Sequence, residues 1–287
     1  MRLTPFAPLA LLLAACGGMP TAAPNATPAQ KAPTIAAPGH SEAGATADCA
    51  AWASAIVGPY KYENNVWGID KARGFTPEQC LLRRTKDGQN EIGWTWSWPG
   101  QDPTVFAYPQ IMFGWKPWSG GKPSDPRFPL KISAMKRLSM DYEVETQATG
   151  SYNLAPEIWL TSSGSWSEQP NPKLITTEIM FWMDYQQSAV PAGQIVDQPM
   201  LGGVRYDLFR ADNIGNRGDG RGWTLYSFRS PTRQLKGQIP IDELLRYMVG
   251  KGLVSTDDYV ASVEFGNEVV GGSGTTWVRK FAVNVAP

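Results

Sequence analysis

The chain has 287 residues, with 26 Lys+Arg against 26 Asp+Glu, 12 tryptophans, three cysteines and one histidine. A net charge of zero leaves no basic field to draw in a nucleic acid. The single histidine, His40, lies in a Pro/Ala-rich stretch, which takes the central residue from a Ser-His-Asp triad, a Cys-His pair or a His-ligated zinc and leaves carboxylates as the candidate catalytic groups.

Residues 1–15 combine a positive start, an apolar run too short to span a bilayer and small residues before a break, which predicts a signal peptide. The ending Leu13-Ala14-Ala15-Cys16 resembles the bacterial lipobox, which implies lipidation of Cys16. With Gly17 rather than aspartate next, the expected address is the outer membrane, with the membrane contacted through the lipid alone. Residues 16–47 hold the lipidated cysteine and a proline- and alanine-rich linker without aromatics, which cannot offset the entropy of ordering. With Cys16 committed to lipid, Cys49 and Cys80 remain as a pair in an oxidising compartment and are expected to form a disulfide.

Residues 48–287 read as one all-β domain, because short aromatic and β-branched runs alternate with Gly, Pro, Asn and Asp clusters. Side chains of a strand alternate between faces, so sequence parity predicts shared surfaces. In Tyr62 to Gly68 a face carries Asn65 and Trp67, and Trp94, Trp96 and Trp98 follow at period two as three indoles in a line. Asn153 to Leu160 puts Asn153, Ala155, Glu157 and Trp159 on one side, with Pro156 suggesting an edge or a bulge. Thr177 to Met183 presents Glu178, Met180 and Trp182 on one face and the apolar Ile179, Phe181 and Met183 on the core face.

Asp212 to Gly220 has the look of a calcium loop, but its twelfth position is Trp223 where a bidentate glutamate is needed, so a turn is expected. Only Ile241 to Val249 has helical period, with Ile241, Leu244, Leu245 and Met248 on one face, which predicts a helix packed on the outside of a sandwich. Val263 to Glu268 turns Glu264, Gly266 and Glu268 to one side; glycine beside the carboxylates suggests open space for a ligand. No cofactor, metal or partner subunit is implied, and a monomer is expected.

A carboxylate between apolar neighbours on a strand is costly unless its face has a use for the charge. Indole rows suit the flat faces of pyranose rings, and Asn and carboxylates suit sugar hydroxyls; core packing accounts equally well for the tryptophan row taken alone. A salt-bridged glutamate on an ordinary outer face is the alternative for Glu178, but with carboxylates facing the same way and no usable histidine the combined pattern favours a carbohydrate cleft.

At these residues the sequence resembles glycoside hydrolase family 12, the endoglucanase and xyloglucanase family. Asn64-Asn65-Val66-Trp67-Gly68, Gln79-Cys80, Trp94-Thr95-Trp96-Ser97-Trp98, Tyr108-Pro109, Glu178-Ile179-Met180-Phe181-Trp182, Pro191-x-Gly193 and Gly266-Asn267-Glu268 are similar to its motifs. The resemblance implies a β-jelly roll of two antiparallel sheets with a concave substrate cleft. It also implies a retaining endo-hydrolase of β-1,4-glucan with Glu178 as nucleophile and Glu268 as general acid/base. Asn65, Trp67, Trp96, Met180 and Trp182 would line the cleft. Glu157 stands where the family has an aspartate that hydrogen-bonds the nucleophile, and Glu264 is an extra carboxylate, able to raise the proton affinity of Glu268 or to bind sugar. The competing expectation is a non-catalytic surface glucan-binding lipoprotein on the same fold.

Overall fold

The computed structural model describes residues 44–99, 105–186 and 189–286. The expected signal peptide, Cys16 and most of the tether with His40 lie outside the described residues. Thr46 and Ala47, expected in the tether, already belong to a strand, Thr46–Asp48, that pairs with Glu78–Lys86.

Two sheets carry the domain. The first has six strands in the order Thr46–Asp48, Glu78–Lys86, Gln89–Trp98, Gly272–Ala286, Arg137–Thr149 and Lys236–Ile239. The path through the second, an eleven-stranded sheet, runs Gln194–Asp197, Asp207–Ile214, Trp223–Arg229, Ile175–Trp182, Tyr152–Thr161, Tyr259–Val269, Gln110–Gly114, Tyr60–Glu63 and Ser54–Val57. Two short strands, Asp184–Tyr185 and Leu130–Lys131, add to its centre. Among the described residues the pairing is antiparallel with one exception to the expected pattern: Ile175–Trp182 and Trp223–Arg229 run parallel, because the chain between them makes an excursion through the outer strands and returns in the same direction.

The main core lies between the sheets, and alternation decides its membership. Ile179, Phe181 and Met183 enter it from the second sheet, as parity predicts, together with Leu154, Ile158, Val263 and Phe265. From the first sheet come Leu138, Met140, Val144 and the whole indole row, Trp94, Trp96 and Trp98. The tryptophan row is therefore packing, not a sugar platform. Trp96, expected in the cleft, is 1% exposed and tilts against Tyr152 inside the sandwich. The physical reason is simple: each indole removes roughly 150–250 Å² of surface from water when buried, and the inter-sheet space is where that gain is available. Two of the polar edges are answered there, since Trp94 Nε1 donates to Asn267 Oδ1 (2.8 Å) and Trp98 Nε1 to Gln79 Oε1 (3.0 Å).

The helix Ile241–Gly250 packs onto the Arg137–Thr149 strand and adds Ile241, Leu244, Leu245 and Met248 to the same core. Cys49 and Cys80 form the expected disulfide. Pro156 is not at a sheet edge: its strand is central, paired with Tyr259–Val269 on one side. On the other side the ladder breaks between Glu157, opposite Met180, and Leu154, opposite Asp184, and Pro156 falls in that break where a missing N–H is tolerated. Asn65 and Trp67 have left the strand, which ends at Glu63; Asn65 Oδ1 instead accepts from Trp67 N (3.1 Å) and holds a turn.

Candidate active site

The face of the large sheet turned away from the six-stranded sheet collects the carboxylates. Along the central strand Tyr152–Thr161, Glu178 lies opposite Trp159, Glu157 opposite both Met180 and Glu264, and Glu268 opposite Asn153. All four glutamates are buried. Met180 and Trp182 share this face with Ala155, Val105 and Leu225, and Trp67 packs against them. Pro191 and Ala192 are buried beside them, and Gly193 is pressed on the Asp207–Ile214 strand, where an added Cβ would lie 1.8 Å from Arg210 O.

Each carboxylate has its own surroundings. Glu178 Oε2 accepts a hydrogen bond from Trp223 Nε1 at 2.6 Å, while Oε1 has no partner. Trp223 is wedged edge-on between Trp118 and Trp159, with ring centroids 5.2 and 5.4 Å away. Gly215 leaves the room for its ring, because a Cβ there would stand 1.9 Å from Trp223 Cη2. Glu268 Oε2 accepts from Asn153 Nδ2. Glu264 accepts from Ser262 Oγ (2.9 Å) on Oε1 and is ion-paired to Lys116 through Oε2. Glu157 Oε1 is buried without a partner.

Burial pushes Glu178 well above the usual carboxylate range, and among charges Glu268 acts on it most strongly; the Trp223 N–H works in the opposite direction. Glu157 is raised in the same way, by burial first and then by Glu178, Glu268 and Glu264, against a lowering from Lys116. Burial disfavours the Lys116 ammonium, yet Glu264, Glu157 and Glu63 together hold its pKa above the ordinary lysine value. Burial and mutual repulsion thus oppose the ionisation of Glu157 and Glu178 together.

Gly266 does not open space for a ligand. A Cβ there would stand 2.4 Å from Pro109 O and 3.0 Å from Tyr108 Cε2, so its role is to admit the Tyr108-Pro109 segment, whose Tyr108 hydroxyl donates to Ala155 O (2.7 Å). Glu264 is neither free nor aimed at solvent, since both of its oxygens are occupied by protein donors. Trp223 and Lys116 were missed by strand reading. Trp223 opens a period-two strand and could have been found by parity, whereas Lys116 follows Trp115 in a loop without period.

The buried polar atoms without partners point to a ligand. Among the described residues, Glu178 Oε1, Glu157 Oε1, Asn153 Oδ1, Trp159 Nε1, Trp182 Nε1 and Ser227 Oγ are orphaned on residues that parity and register put on this one face, while two further orphans lie elsewhere, Trp96 Nε1 in the core and Arg217 Nε in a loop. Native structures seldom leave such groups unsatisfied unless something else supplies the partner.

The family model for Glycosyl hydrolase family 12 matches residues 58–286. The chain belongs to glycosyl hydrolase family 12. It is 31% identical over 229 residues to Endoglucanase S of Pectobacterium parmentieri, covering 79% of this chain and 81% of that one. It is 25% identical over 246 residues to Xyloglucan-specific endo-beta-1,4-glucanase A of Emericella nidulans, covering 83% and 90%. The native family 12 xyloglucanase from Bacillus licheniformis superposes with a TM-score of 0.73 at 30% identity, covering 84% of this chain and 100% of that one. The protein is thus a glycoside hydrolase of jelly-roll fold, in a family of endoglucanases and xyloglucanases.

Proposed function

We propose that this glycoside hydrolase cleaves β-1,4-glucan chains internally by double displacement, with Glu178 as nucleophile and Glu268 as general acid/base. The observation that carries the reading is Glu178 itself. It is a buried carboxylate with one oxygen fixed by Trp223 and the other unengaged, and the charge that acts on it most is a second carboxyl, Glu268, rather than a cation. Protonated Glu268 would donate to the leaving oxygen while ionised Glu178 attacks the anomeric carbon. Water deprotonated by Glu268 then releases the sugar with configuration retained. Trp67, Met180 and Trp182 form the apolar part of the sugar site, and the orphaned N–H and O–H groups of Trp159, Trp182 and Ser227 supply partners for hydroxyls. Glu178 is fully buried, so a sugar reaches it only when the side chains covering it move aside.

The test is reducing-end release from soluble mixed-linkage glucan, carboxymethyl cellulose and xyloglucan, with the anomer of the first product followed by NMR. Retention is expected, and Glu178→Gln and Glu268→Gln each abolish hydrolysis while keeping the wild-type circular dichroism. Inversion, or appreciable activity in either variant, would overturn the assignment. We further propose that Cys16 carries a lipid anchoring the enzyme to the outer membrane; a Cys16→Ala chain that stays with the membrane fraction would refute it.

A further inference from the structure

We infer that Lys116 is a positioning residue of the reaction: its ammonium neutralises Glu264, the carboxylate set directly beside Glu157, and so relieves the centre that holds Glu178, Glu157 and Glu268 of one negative charge. This rests on the proposed roles of Glu178 and Glu268.

Glu264 lies opposite Glu157 on one side and Met112 on the other, so two carboxyls meet across neighbouring strands, an arrangement that repels when both are charged. Glu264 has no exposure, and its oxygens are taken by Ser262 Oγ and Lys116 Nζ. Lys116 is buried as well and also donates to Gln110 Oε1 (3.3 Å). The next carboxylate outward, Glu63, accepts from Gln110 Nε2 (3.2 Å) and has its own cation, Lys61. The groups that bear on the centre are thus Glu178 from one neighbouring strand, Glu264 and Glu268 from the other, and Lys116 from the loop, with Glu63 and Lys61 paired beyond it.

The loop is firmly placed. Trp115 N donates to Ala261 O (2.7 Å), and Ser119 N and Gly120 N both return to Lys116 O (3.2 and 3.0 Å). Two residues on, Trp118 packs against Trp223, the donor to Glu178. One short segment therefore both buttresses the nucleophile's hydrogen-bond donor and delivers the cation to its neighbouring carboxylate. A buried ion pair is a poor device for stability, and a matched neutral pair can replace it without loss of fold, so a charge-setting role is the better account of its presence.

The experiment compares Lys116→Met, Glu264→Gln and the double variant in the full chain. The pH profile of kcat/KM on soluble glucan is one readout; a 13C-carboxyl NMR titration of the substrate-free protein is a second that needs no activity. Glu264→Gln leaves the ammonium uncompensated, so the site carboxyls lose protons earlier and both limbs of the profile move to lower pH by about one unit. Lys116→Met moves them upward by a similar amount. The double variant returns both readouts to near the wild-type positions. Unmoved limbs and titrations in Glu264→Gln, or a double variant displaced as far as a single one, overturn the inference. Where Lys116→Met fails to fold, the other two variants still decide. A wild type that hydrolyses no glucan defeats the proposed function, and the NMR titration then still reads the charge arrangement.

Discussion

Replacing Trp223 with phenylalanine keeps an aromatic ring between Trp118 and Trp159 but deletes the N–H that reaches Glu178 Oε2 at 2.6 Å. A hydrogen bond to a charged group contributes about 1.5–3 kcal/mol. At 1.36 kcal/mol per unit this amounts to about 1–2 units in the proton affinity of Glu178. The direction is upward, because the Trp223 contact opposes burial and the charge of Glu268, more strongly than the Lys116 charge does. A nucleophile must be ionised, so the acid limb of kcat/KM moves to higher pH by about 1–2 units. Below that limb Trp223→Phe falls about 10–100-fold behind the wild type, and above it the two approach each other. The smaller ring also leaves a void, costing about 1–3 kcal/mol of stability, which a thermal melt reads separately. A loss of kcat/KM by the same factor at every pH would refute the reasoning, because it would mean that Trp223 shapes the site without tuning the ionisation of Glu178.

Glu157→Gln tests the carboxyl cluster through stability. A carboxyl whose folded pKa is raised contributes stability that is fully present below its unfolded value of about 4.3 and is lost as pH rises through the folded value, so this variant melts above the wild type at pH 8 and level with it near pH 4. A gap that widens toward acid would sink the idea. Gly215→Ala places a methyl at φ +64° and 1.9 Å from Trp223 Cη2; about 1–3 kcal/mol of stability is lost, and hydrolysis falls with the displaced indole, whereas a variant matching wild type in melt and rate would contradict the packing. Reduction of Cys49–Cys80, which closes a separation of 31 residues, lowers stability by about 3–4 kcal/mol in denaturant titration, and an unchanged midpoint would count against a structural disulfide.

Period two told which residues share a face but not which face meets the other sheet, and that difference separates the successes from the errors. Glu178, Met180 and Trp182 were separable from Ile179, Phe181 and Met183 because an acidic residue on one side and an unbroken apolar set on the other assign the faces locally. Trp94, Trp96 and Trp98 alternate with Thr95 and Ser97, a pattern equally suited to a cleft and a core. Only the pairing of their strand with Gly272–Ala286, and the sandwiching of that sheet against the other, turns the indoles inward. Gly266 was misread for the same reason, since the backbone that crowds it comes from Pro109, far away in the chain.

Asn267 shows how closely the two faces are coupled. Its neighbour Glu268 points to the carboxylate-bearing face, while Asn267 reaches into the core, accepts from Trp94 Nε1 and Thr276 Oγ1 and donates to Asn153 O. That last bond fixes the backbone of the residue whose side chain donates to Glu268. A core tryptophan, an asparagine and the strand beneath Glu268 thus form one hydrogen-bonded unit. Lys116 is the opposite case. It belongs to no strand, so no period reports its direction; the pairing of Gln110–Gly114 with Tyr259–Val269 and the bond from Trp115 to Ala261 bring its ammonium against a glutamate 148 residues away. Strand-borne parts of the site were thus readable from alternation, whereas the part that sets its charge depends on a loop position that only the assembled sheet defines.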